Sequence, residues 1–133
     1  MFEKQLTNQI TQKIDPYLST CLSAYRKGHS CETALLKLVE DWKLAVDNGE
    51  TVGIVSTDTS KAFDSLLPAL LLNKLKAYNF SEKALSLIRS YLKHRKARVK
   101  LGAIRSNWQN IKRGCPQGSC FGPLLWNIFQ NDL

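Results

Sequence analysis

Three short stretches hold the residues best suited to chemistry. In the first, Ser56-Thr57-Asp58-Thr59-Ser60-Lys61-Ala62-Phe63-Asp64, a carboxylate follows a β-branched run and an aromatic stands five positions beyond it. A carboxylate held by rigid backbone is a ligand for a hard cation such as Mg²⁺, which takes oxygen donors, usually one or two carboxylates together with substrate phosphates. The plainer use of Asp58 is to cap a turn. In the second stretch, Gly114-Cys115-Pro116-Gln117-Gly118-Ser119, the glycines let backbone run close to a neighbour, and Gln117 offers both a donor and an acceptor. An ordinary turn would use the same residues. In the third, Arg26-Lys27, the arginine fork suits phosphate oxygens, with solvated surface charge as the alternative.

Charge points the same way as the arginine. Nineteen Lys and Arg against eleven Asp and Glu leave the 133-residue chain at +8, which attracts anionic partners at long range and through counterion release. The run Lys93-His94-Arg95-Lys96, continued by Arg98, Lys100 and Arg105, fits a surface that tracks phosphates, or a solvated face. Cys21, Cys31, Cys115 and Cys120 contain no C-x-x-C pair, so neither zinc nor a disulfide framework is expected. No apolar run approaches the length of a membrane span, and the N-terminus lacks the charged start and apolar core of a signal peptide. The expected location is intracellular, in cytoplasm or nucleus.

The elements that must position these residues are legible from their punctuation. Phe2, Leu6, Ile10 and Ile14 repeat every four residues, predicting a helix over 1–14 that Asp15-Pro16 stops. Leu35, Leu38, Val39, Trp42 and Val46 predict a second helix, capped by Ser30 and ended by Asn48-Gly49. The segment Thr51-Val-Gly-Ile-Val-Ser-Thr57 reads as a strand that delivers Asp58 at its end. Pro68 opens a helix to about Ala77, and Ser81 caps another to about Lys93, with Phe80 and Leu85 at staple positions. Residues 96–101 and 108–112 predict a β-hairpin, and Leu124, Leu125, Ile128 and Phe129 a final helix after the glycine loop.

Taken jointly, three blocks resemble the reverse transcriptases of non-LTR (LINE-type) retrotransposons. Ser23-Ala24-Tyr25-Arg26-Lys27-Gly28-His29-Ser30 is similar to that family's fingers motif, Asp58 to Asp64 resembles palm motif A, and Gly114 to Leu125 resembles motif B. Tyr25 stands where phenylalanine is commoner, and Thr59 replaces a more usual aliphatic residue; both changes are mild. The resemblance implies an α+β fold, with partial fingers and palm of a right-hand polymerase, helices packed on a small, mostly antiparallel sheet. Residues 1–133 would be one partial domain, fingers-type over about 1–50 and palm-type over 51–133. It further implies Mg²⁺ on Asp58 and the Thr59 carbonyl, with Asp58 catalytic in a two-metal displacement. Phe63 would be a steric gate against the ribose 2′-OH, or simply a core aromatic. Arg26, Gln117 and Gly118 would line the deoxynucleoside triphosphate site. Lys27, Arg95, Lys96, Arg98 and Lys100 would meet RNA template, DNA primer or RNA–DNA hybrid.

The same resemblance makes the carboxylate count informative. Motif C, an aromatic-Ala-Asp-Asp hairpin, is absent from these residues, where the only acidic residue after Glu82 is Asp132. The expectation is therefore a fragment of a retrotransposon RNA-templated DNA polymerase, inactive by itself. A non-catalytic basic module that binds RNA or RNA–DNA hybrid is the alternative. A phosphotransfer domain with Asp58 as nucleophile is disfavoured because Ser60 stands where that chemistry wants a second aspartate. Oligomeric state is not legible.

Overall fold

The computed structural model describes residues 2–132. Its core forms where four apolar helix faces meet. α1 (Phe2–Ile14) contributes Ile10 and Ile14, α4 (Pro68–Ala77) contributes Leu71 and Leu75, and α5 (Glu82–Leu92) contributes Leu85, Ile88 and Leu92. The last of the four, a helix over Gly122–Gln130, inserts Leu124, Leu125 and Ile128 among them. Phe2 departs from the predicted stripe and is largely exposed. Each buried Leu or Ile contributes about 1.5–3 kcal/mol relative to exposure, so this meeting of helices dominates the stability of the domain.

Local signals set the helix ends. Leu67 is extended before Pro68, as the residue ahead of proline must be, and α4 begins at once. α4 closes with a Schellman motif: Asn79 takes φ +57°, its amide donates to Lys76, and the Phe80 amide donates to Leu75. Ser81 then caps α5 by accepting from the Ala84 amide, with Phe80 and Leu85 both buried beside it. From α1, Lys13 donates to the Asn79 carbonyl and lies 4.6 Å from the centre of the Phe80 ring, tying the first helix to this turn.

α2 (Cys31–Asp47) has the predicted cap, a reciprocal box between Ser30 and Thr33, and the predicted stop, with Gly49 at φ +78°. Its burial differs from expectation. No residue of α2 is buried, and Leu35, Leu38 and Val46 are largely exposed, because no other described helix packs on its apolar face.

Residues 51–57 are not the strand that their composition predicts; the chain from 50 to 59 has no regular structure, and Val55 is 92% exposed. β-branched residues favour a strand only where a neighbour accepts the ladder hydrogen bonds. Here the described strands pair only with one another: β1 (Lys96–Ala97) with β4 (Gln109–Asn110), and β2 (Lys100–Leu101) with β3 (Ile104–Arg105), both antiparallel. These four form the expected hairpin in two steps. Two residues separate Ala97 from Lys100, whereas three separate Arg105 from Gln109, so the register slips by one through a bulge. The Ser106 hydroxyl bridges the gap by accepting from the Val99 amide. The fold is α+β, as expected, with its small antiparallel sheet exposed on both faces.

Candidate functional site

Lys61, in the left-handed region at φ +54°, turns the chain after Asp58 into a single helical turn, α3 (Ala62–Ser65). α3 presents Phe63 to the loop 114–121. The Gly114 amide donates to the Leu66 carbonyl at 2.7 Å and the Cys115 amide to the Phe63 carbonyl at 3.1 Å. Gly114 has φ +77°, and a Cβ there would lie 2.8 Å from the Phe63 carbonyl oxygen, so only glycine fits this crossing without displacement. Cys115 is buried under the loop, and burial raises its thiol pKa, keeping it protonated.

Above this crossing, Phe63, Pro116, Gln117, Gly118, Ser119 and Pro123 line a cavity of about 420 Å³. The Phe63 ring meets two others, Tyr25 in an edge-type contact at 5.8 Å and Trp126 tilted at 5.9 Å. Gln117 donates to the Asp64 carboxylate at 3.3 Å, which gives Asp64 a place in the site. The arrangement can present an aromatic wall, an amide side chain and a glycine backbone to one flat ligand.

The loop is held from behind. Ser119 Oγ accepts from the amides of Phe121 and Gly122 at 3.0 Å each, satisfying two donors at the start of the helix that follows, α6 (Gly122–Gln130). The Tyr91 hydroxyl lies 2.8 Å from both Ser119 Oγ and Glu3 Oε1, donating to the carboxylate. Burial, with the Glu3 carboxylate beside it and against the Ser119 hydrogen bond, pushes the Tyr91 pKa up to about 12. None of Glu3, Tyr91 or Ser119 carried a sequence signal for this role, since they are 28 or more positions apart.

Arg26 and Lys27 line a second cavity of about 460 Å³, which adjoins the first because Cys120 and Pro123 line both. Arg26 is engaged: it pairs with Asp15 at 3.1 Å and donates to the Ser19 and Leu22 carbonyls. Asp58 and Thr59 lie outside both cavities, exposed and in irregular chain. Among the described residues no three His, Cys, Asp or Glu side chains cluster as a metal site.

The predicted cationic surface divides in two. Arg95 is half-buried and turned inward, where it donates to the carbonyls of Leu92, Arg113 and Gly114, so it fastens the loop's entry. Lys96, Arg98 and Lys100 are exposed on the hairpin. The Arg98 guanidinium lies over the Trp108 ring at 4.4 Å, and Lys100 stands directly opposite Arg105. Like charges in register repel.

The chain matches the family model "Reverse transcriptase (RNA-dependent DNA polymerase)" over residues 1–133. The chain belongs to that family. It is 32% identical over 109 residues, 82% of its length, to the "Probable RNA-directed DNA polymerase from transposon BS" of Drosophila melanogaster. It is 30% identical, over its whole length, to the "RNA-directed DNA polymerase from mobile element jockey" of Drosophila funebris. A more distant similarity, 29% over 68% of the chain, is to the "Retrovirus-related Pol polyprotein from type-1 retrotransposable element R2" of Popillia japonica. The chain spans 12%, 15% and 15% of these three relatives. No described helix is long and apolar enough to cross a membrane.

Proposed function

We propose that this chain is the nucleotide-selecting part of a non-LTR retrotransposon polymerase that copies RNA into DNA. The observation that carries the reading is the cavity in which the Phe63 ring meets Gln117 and Gly118. There Phe63 acts as a steric gate: its ring fills the space a ribose 2′-OH would need, while Gly118 and Gln117 lie against the base pair being formed. Arg26 and Lys27, in the adjoining cavity, face the triphosphate or template backbone. Residues 1–50 serve as fingers and 51–133 as palm. Asp58 and the Thr59 carbonyl form one corner of a magnesium site whose other carboxylates are not among the described residues, so the chain by itself does not extend a primer.

The test is sugar selectivity. With this chain replacing the matching segment of a full-length relative, Phe63→Val should lower the deoxy-to-ribo ratio of kcat/KM by about tenfold or more, that is, by about 1.4 kcal/mol of differential transition-state binding. An unchanged ratio in a folded enzyme would reject the gate.

The hairpin supports a second reading, a surface for RNA or RNA–DNA hybrid, because Lys100 and Arg105 are paired like charges with Arg98 and Lys96 nearby. The two readings are compatible and concern different faces.

A further inference from the structure

Tyr25 has an unusual backbone. It sits at φ +57°, in the left-handed region that glycine enters freely and a bulky aromatic side chain does not. Such strain persists only where its surroundings over-determine it, and here they do so on both sides. On one side, the buried Asn127 of α6 donates to the Ala24 carbonyl at 2.8 Å. On the other, Arg26 is held by the Asp15 carboxylate and by the carbonyls of Ser19 and Leu22. The residue between these clamps carries its ring in edge-type contact with Phe63, whose ring also meets Trp126.

A left-handed turn alone is best made by glycine, as Gly28 makes one three residues later at φ +78°. An aromatic at this position implies that the ring itself is used. We propose that Tyr25 is a positioning residue for sugar selection: its ring restrains Phe63 from the fingers side and so sets how closely the gate approaches the sugar. The proposal rests on the gate reading of Phe63. Tyr25 is largely exposed beyond this contact, so its ring contributes little to the core, and its effect passes through Phe63.

Two measurements test it. The first uses the polymerase carrying this chain in place of a relative's matching segment, and compares deoxy-to-ribo ratios of kcat/KM. Tyr25→Phe keeps the ring and should leave the ratio within about twofold. Tyr25→Leu and Tyr25→Gly should each lower it by about threefold or more, even though glycine relieves the backbone. In a Phe63→Val background, Tyr25→Leu should have no further effect on the ratio. A normal ratio in Tyr25→Leu, in an enzyme where Phe63→Val lowers it, overturns the positioning role and leaves the gate intact. If Phe63→Val itself changes nothing, the gate reading has failed, and the second measurement decides the contact separately. It follows the Phe63 ring resonances in the 133-residue chain by NMR: Tyr25→Leu should shift them and abolish the Tyr25–Phe63 ring-to-ring NOE seen in wild type. Ring resonances unmoved by Tyr25→Leu overturn the proposal whatever the kinetics.

Discussion

Gly114 and Phe63 meet backbone to backbone, so closely that a single methyl group on Gly114 would lie 2.8 Å from the Phe63 carbonyl oxygen and 2.9 Å from the Asp64 Cα. Two stretches far apart in the sequence are locked there, beside the cavity that Gln117 lines. Gly114→Ala meets both an unfavourable left-handed φ and this overlap, so it should destabilise the fold by about 2–4 kcal/mol. Urea unfolding of the chain measures it. A loss under about 1 kcal/mol would mean that the crossing is looser than described.

The division of the cationic run has a direct test in RNA binding. Replacing Lys96, Lys100 and Arg105 together with glutamine should weaken RNA and RNA–DNA hybrid of any sequence to a similar extent and flatten the salt dependence of the affinity, while leaving the thermal midpoint nearly unchanged. Arg95→Gln should do the reverse, lowering stability by about 1–3 kcal/mol by freeing the carbonyls of Arg113 and Gly114. Filter binding between 50 and 200 mM salt, beside melting curves, separates the two. Wild-type affinity indifferent to salt would refute the phosphate-tracking surface.

Asp58 has no hydrogen-bond or ion-pair partner among the described residues, so Asp58→Ala should change stability by less than about 0.5 kcal/mol. A turn-capping aspartate would instead cost about 1 kcal/mol when removed. In a polymerase completed with a relative's remaining carboxylates, the same substitution should reduce nucleotide incorporation by more than about a hundredfold, because a missing ligand disturbs both the attacking and the leaving oxygen. Primer extension by the 133-residue chain with magnesium should stay at background. Incorporation abolished by Asp58→Ala in that short chain would show that it is already complete.

Tyr91 links stability to alkaline pH. Its folded pKa is pushed up to about 12 from the ordinary 10.0. Between those values the unfolded chain gives up the phenolic proton while the folded chain keeps it, so folding is progressively penalised. The stabilisation from the neutral hydroxyl is complete below about pH 10 and lost as pH rises toward 12. Thermal midpoints of wild type should therefore fall more steeply over that interval than those of Tyr91→Phe, which has no proton to lose. Parallel pH profiles would dissociate Tyr91 from the Glu3–Ser119 network.

Much of this protein is legible in its sequence because the signals are short-range. Ser30 and Ser81 cap, Asn48-Gly49 and Asp15-Pro16 stop, and Pro68 starts, each acting on backbone groups within a turn of itself. The residues Asp58, Phe63, Gln117 and Gly118 stand out through the resemblance of their stretches to motifs A and B, and the last three share one cavity. What the tertiary structure decided is everything whose energy depends on a distant partner. Among the described residues, the strand propensity of residues 51–57 finds no ladder and the apolar stripe of α2 finds no neighbouring element. Arg95 has the composition of a phosphate ligand but is drawn inward by three carbonyls. The roles of Asp64, Tyr25 and Tyr91 come from contacts with Gln117, Phe63 and Glu3, at separations of 53, 38 and 88 residues, counting 63 minus 25 for the second pair. A periodicity or a cap records a residue's relation to its own turn of chain, whereas a side chain's partner across the core is set only when the helices have packed and competing contacts have been won or lost.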